Sequence, residues 1–147
     1  MGTPDFAVGT LKELIDNQYD VVAVVTQPDK PKGRSKELVF SPVKEEAVKN
    51  NIQVLQPERA RDEAFVEELR KYNADVFVVV AFGQLLPKSI IDMPRLGCIN
   101  VHASLLPKYR GASPIQWAVI DGCEYSGVTT MKTVSYTHLR AHETCAD

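Results

Sequence analysis

Two apolar runs constrain this chain more than anything else in it. Residues 21–26 read VVAVVT and residues 74–81 read ADVFVVVA. Near-continuous β-branched runs without polar alternation belong to strands covered on both faces, as in the parallel sheet of an α/β domain. Amphipathic segments separate them. Residues 6–17 place Val8, Leu11, Leu14 and Ile15 on one stripe. The segment after Asp62, which stands at a capping position, does the same with Phe65, Val66, Leu69 and Tyr72. Ser41 caps another helix, with Pro42 at its first position. Shorter strands are expected at 52–55, 98–101 and 128–131, and a short helix near 87–91. A further helix starts at Ser113-Pro114, with Ile115, Ala118 and Val119 inward, and stops at Gly122. Strands alternating with helices predict an α/β fold with a mostly parallel, Rossmann-like sheet flanked by helices. Such folds place a strand before a turn like Gly2-Thr3-Pro4-Asp5. None stands there, so truncation before the first strand is expected, with apolar positions such as Val76 to Val80 poorly covered.

The 147 residues suffice for one modest core, and a net charge of −2 argues against a general nucleic-acid or membrane surface. No apolar run approaches the ~20 residues that span a bilayer, and a cytoplasmic monomer is expected. Cys98, Cys123 and Cys145 fit neither a disulfide framework nor a zinc site, so no metal is expected and Cys98 reads as a small buried residue.

Two stretches carry candidate chemistry. Residues 27–43 form a loop that Pro28, Pro31 and Gly33 keep from regular structure. With Lys44 it holds five basic residues against two acidic ones, on an otherwise acidic chain. Long loops in compact domains are often functional, and a basic one suits an anionic partner such as RNA, though a solvated surface loop is an equal reading on charge alone. Residues 98–116 read CINVHASLLPKYRGASPIQ. Asn100 and His102 are two residues apart, so on an extended strand they point the same way. An amide donor beside an imidazole suits a reaction that develops charge on a carbonyl oxygen and moves a proton. The plainer reading of His102 is a hydrogen-bonded structural histidine at a strand end. The turn at residues 2–5 has too little glycine for a phosphate cradle and reads as a strand-to-helix turn.

The segments GTPDFA, TQPDKPKGRSKEL and SPVK, the long stretch at residues 82–122 and GVTTMK at 127–132 together resemble the methionyl-tRNA formyltransferases. The Asn100–His102 core with Ser104 to Pro107 and Arg110-Gly111 is similar to folate-dependent formyl transferases in general. The proline-rich basic loop narrows the resemblance to the tRNA-acting branch. It implies formyl transfer from 10-formyltetrahydrofolate to the amino group of methionyl initiator tRNA. It further implies catalytic roles for Asn100 and His102, folate contact by Ser104, Leu105, Leu106 and Pro107, and tRNA contact by Arg34. The family's third catalytic residue, an aspartate, falls at the position of His138 here, so the chain as it stands is expected to be inactive. Two alternatives stay open. One is a formyltransferase acting on a small amine such as a nucleotide sugar or glycinamide ribotide. The other is a non-catalytic folate- or RNA-binding fragment.

The last residues break the pattern. Residues 134–144, VSYTHLRAHET, back-translate to a string that resembles a transposase-type sequencing adapter. Two segments are therefore expected: a partial catalytic domain at 1–132 and a non-native, disordered tail at 133–147. On that reading His138, His142 and Cys145 carry no metal chemistry.

Overall fold

The structure is a computed structural model that describes residues 1–34 and 37–134. Helix α1 (Asp5–Asp16) leads to strand β1 (Val24–Val25). A hairpin of β2 (Lys30–Lys32) and β3 (Glu37–Val39) follows, then α2 (Pro42–Lys49), β4 (Val54–Leu55), α3 (Glu63–Arg70) and β5 (Phe77–Val79). The chain continues through α4 (Lys88–Ile91), β6 (Cys98–His102), α5 (Pro114–Ile120) and β7 (Thr129–Thr133). β1 pairs with β4 and β5 with β6, both in parallel, while β7 returns antiparallel along β6. The expected parallel sheet is thus mixed. Thr133, grouped with the tail on sequence grounds, pairs with Cys98. The remainder of that tail, from residue 135, lies outside the described residues, together with His138, His142 and Cys145.

Alternation along each strand builds a core on both sheet faces. Val24 and Val80 pack with Ala7, Leu11, Val43 and Ala47 under α1 and α2. Their neighbours Val25 and Val79 pack the other way, with Phe65, Leu69, Phe77 and Ile90 under α3 and α4. Both-face burial is the physical reason the two runs lack polar alternation.

The two parallel pairs are joined through the first two residues. Gly2 bridges Val80 in parallel, and its N–H donates to the Val25 carbonyl at 2.9 Å. The Val80 N–H donates to the Met1 carbonyl at 2.8 Å, and the Met1 amino group donates to the Val78 carbonyl at 2.7 Å. Only glycine fits at position 2, since a Cβ there would lie 2.7 Å from the Ala7 Cβ and 2.8 Å from the Val80 carbonyl oxygen. Beside Met1 an apolar slot of about 690 Å³ separates β1 from β5, lined by Val21, Ala23, Val76 and Val78 among others. Val79 and Val80 are buried, whereas Val76 and Val78 along the slot are only half-buried.

Two other local expectations change. The 27–43 segment is not structureless but holds the β2–β3 hairpin. Gly33, at φ 70°, starts its turn, and Pro31 is tolerated because a two-stranded ribbon is all edge. In α5 only Ala118 is buried, while Ile115 and Val119 are exposed. A helix this short presses one small residue onto the body, and its i,i+4 apolar pair faces away. Asp62 does precede α3, but its carboxylate makes no cap bond, whereas Ser41 accepts from the Lys44 N–H at 3.1 Å.

Burial of the Met1 amino group pulls its pKa down to about 6. The unfolded chain then binds more protons than the folded one up to the ordinary value of 8.0. Stability should therefore rise as pH rises from 6 to 8, by about 2–3 kcal/mol. Urea unfolding at several pH values checks this; a flat profile across that window contradicts the buried amine.

Candidate active site

In an open α/β sheet, the polar groups that end the parallel strands collect at one edge, where ligands bind. Here Asn100 and His102 stand at the end of β6, in register with Met131 and Thr129 of β7. The Asn100 side chain is half-buried and makes no hydrogen bond among the described residues, which leaves its amide available as a donor. The His102 Nε2 lies 2.7 Å from the Tyr109 carbonyl oxygen. A carbonyl only accepts, so Nε2 carries a proton, and Nδ1 is the ring nitrogen that this bond leaves over. The plain structural reading and the catalytic one meet in this geometry: the backbone bond orients the ring and leaves one nitrogen unused.

That carbonyl is positioned by the loop after β6. Ser104 is fully buried, and its hydroxyl donates to the Lys108 carbonyl at 2.7 Å and lies 3.5 Å from that of Tyr109. Thr129 of β7 donates to the Ser104 carbonyl at 2.7 Å and accepts from the Leu106 N–H at 3.1 Å. The Leu106–Pro107 peptide is cis, and Tyr109 is left-handed at φ 56°. The Tyr109 phenol donates to Asp121 at 2.8 Å and lies 2.9 Å from the Cys123 sulfur. Its pKa is pushed up, first by the Cys123 contact and then by Asp121.

Ser104 therefore shapes the loop with its hydroxyl rather than presenting it outward. Leu105 and Pro107 are exposed and Leu106 half-buried in the loop that follows His102. Leu105 leans on Gly127, where a Cβ would come within 2.5 Å of its Cδ2. Arg34 is not in this cluster; it is exposed at the turn of the β2–β3 hairpin. Cys98 is buried, and burial raises its thiol to about 11, which makes it an inert packing group.

Sequence reasoning missed Tyr109 and Thr129, whose roles depend on loop closure. It also missed a glutamine network at the strand ends. Gln84 donates to the Gln27 side chain at 3.0 Å and to the Pro57 carbonyl at 2.9 Å, while its own oxygen accepts from the Ala60 N–H at 2.7 Å. Gln56 donates to the Gln27 carbonyl at 3.3 Å. A signal was present, because Gln27, Gln56 and Gln84 each follow an apolar run within three residues.

The profile of the family described as formyl transferase matches residues 1–135. The chain belongs to the formyl transferase family. Over 132 residues it is 86% identical to a methionyl-tRNA formyltransferase of Lachnospira eligens, covering 90% of this chain and 42% of that protein. A methionyl-tRNA formyltransferase of Agathobacter rectalis is 65% identical over 132 residues, with 90% and 43% covered. The chain thus spans less than half the length of these relatives. Among solved structures, glycinamide ribonucleotide transformylase 1 from Symbiobacterium toebii superposes with a TM-score of 0.69 at 16% identity. That match covers 92% of this chain and 64% of the other. A likeness at that identity establishes the shared α/β formyl transferase fold alone. Among the described residues no helix is long and apolar enough to cross a membrane.

Ser104→Ala removes the buried donor to the Lys108 carbonyl and should destabilise the chain by roughly 1–2 kcal/mol. Chemical denaturation measures it, and an unchanged midpoint would mean the loop is held without that hydroxyl.

Proposed function

We propose that this chain is the catalytic N-terminal part of a methionyl-tRNA formyltransferase. Such an enzyme moves the formyl group of 10-formyltetrahydrofolate to the amino group of methionine on initiator tRNA. The observation that carries this reading is the conjunction of an unpaired amide at Asn100, an oriented imidazole at His102 and a projecting basic hairpin. A transferase for small amines has use for the first two but not the third. The names of the 86% and 65% identical relatives support the same substrate.

Each residue then has a physical task. The methionyl amine attacks the formyl carbon, a C–N bond forms and the carbonyl electron pair moves to oxygen. The Asn100 amide donates to that oxygen. His102, with Nε2–H held by Tyr109, takes the amine proton at Nδ1. Collapse breaks the bond to the folate nitrogen, which leaves with the proton returned from His102, so that the imidazole ends as it began. Leu105, Leu106 and Pro107 offer apolar side chains suited to a folate ring, and Ser104 acts by fixing their loop. Arg34 and its basic neighbours contact acceptor-end phosphates. The aspartate that the family resemblance places at His138 lies outside the described residues. With histidine there, the chain as it stands is expected to bind substrates without turnover.

In the full-length enzyme carrying that aspartate, Asn100→Ala should lower kcat by roughly 10²–10³, the cost of one oxyanion donor, with folate binding retained. Single-turnover kinetics with charged tRNA decide it, and near-normal transfer would remove Asn100 from this role. Arg34→Ala should raise KM for tRNA and reduce the salt slope of binding by about 1. Unchanged values would return the hairpin to a solvated surface loop.

A further inference from the structure

The β2–β3 hairpin stands clear of the body, with all six strand residues exposed. Its root, by contrast, is fastened at two levels. Deeper in, the hydroxyls of Thr26 and Ser41 meet at 2.7 Å, tying the end of β1 to the start of α2; Thr26 is fully buried. Above them, Lys44 in the first turn of α2 donates to Asp29 Oδ2 at 2.8 Å. The same ammonium sits 3.8 Å from the centroid of the Phe40 ring. Asp29 leads into β2 and Phe40 leaves β3, so one cation grips both ends of the hairpin. Gln56 completes the contact by donating to Asp29 Oδ1 at 2.8 Å.

This ion pair differs from its peers. The Lys44 and Asp29 side chains are 14% and 18% exposed, whereas both partners of every other ion pair among the described residues are more than half exposed. Surface pairs contribute little, while a sheltered pair with further hydrogen bonds fixes geometry. The Lys44 bond comes first in holding the Asp29 carboxyl below its ordinary range, with Gln56 adding to it. The Lys44 charge is thereby spent inside the protein. The charges offered outward belong to the hairpin, Lys30 and Arg34 among them.

We propose that Lys44 buckles the hairpin root through Asp29 and Phe40, and so fixes where Arg34 meets the phosphates of an RNA acceptor end. Lys44 is a positioning residue and does not contact RNA. The proposal rests on the tRNA reading above and adds to it the element that preorganises the contact. Holding the hairpin before binding saves the ordering cost that a free loop would meet on association.

The test uses the 147-residue chain, a hairpin RNA copying a tRNA acceptor stem, and the variants Lys44→Met, Lys44→Arg and Asp29→Asn. Lys44→Met keeps the stem of the side chain and loses the charge. Lys44→Met and Asp29→Asn should each speed amide hydrogen exchange in β2 and β3 without changing exchange in β5 and β6. Each should weaken RNA binding roughly five- to tenfold, the scale of one charge-assisted contact. The slope of log K against log salt between roughly 50 and 200 mM should stay as in the parent chain. Lys44→Arg should restore much of the affinity. The double variant should lose no more than either single one, as partners in one interaction do. A slope reduced by about 1 in Lys44→Met would make Lys44 a phosphate ligand and overturn the proposal. So would equal affinity despite faster exchange. If the parent chain does not bind the RNA, the tRNA reading of the hairpin fails and the proposal falls with it. If the parent binds and Lys44→Met binds equally, only the proposal fails.

Discussion

Everything at the functional edge depends on a short length of backbone between two parallel strand pairs. Met1 and Gly2 hydrogen-bond to Val78, Val80 and Val25, and so hold β1 and β5 in one sheet frame. The close approach at Gly2 sets the spacing, because any side chain there would strike Ala7 and the Val80 carbonyl. With the frame set, Thr26 and Gln27 at the end of β1 come level with Phe82 and Gln84 beyond β5. Thr3 joins them, donating to the Phe82 carbonyl at 2.9 Å. A buried edge rich in backbone polar groups is costly unless they are paired, and the threonine and glutamine side chains do that pairing.

On that edge the protein solves two different positioning problems by related means. At His102 a loop carbonyl takes one ring nitrogen and leaves the other. The carbonyl is placed by Ser104, Thr129 and the left-handed Tyr109, all anchored within the protein. Arg34 is exposed on the hairpin, and a sheltered ion pair lies at the hairpin root. In both cases a polar side chain, half-buried at His102 and exposed at Arg34, rests on polar contacts beneath it. Packing does little of this work, since Leu105 and Leu38 nearby are largely exposed.

How much of this was legible in the chain can be judged at single residues. The strands at Val24–Val25 and Phe77–Val79, and the helices beside them, were legible because burial on both faces or on one stripe imposes a composition. The Asn100–His102 pair was legible because period-2 geometry acts over two residues. The hairpin was not, because Pro31 and Gly33 argue locally against a strand, and only cross-strand pairing with Leu38 and Glu37 outweighs them. The resemblance implies folate contact by the segment Ser104 to Pro107, but does not say where the Ser104 hydroxyl bonds. That hydroxyl turned inward because the following loop folds back over it and offers the Lys108 carbonyl. Ile115 and Val119 fit an inward stripe by period, yet α5 approaches the body only at Ala118.

By itself the sequence determined the alternation of strands and helices, the strand end that carries Asn100 and His102, and the basic character of residues 27–44. Those features are set by local composition and short-range geometry, which are present before folding. The tertiary structure alone decided which nitrogen of His102 bonds to the loop, that the Ser104 hydroxyl bonds to the loop, and that Lys44 is withdrawn from the outward charge. Each of these follows from a hydrogen bond or ion pair whose partner lies elsewhere in the chain or across a closed loop. Such a partner is chosen by where the backbone brings the groups, not by their order in sequence.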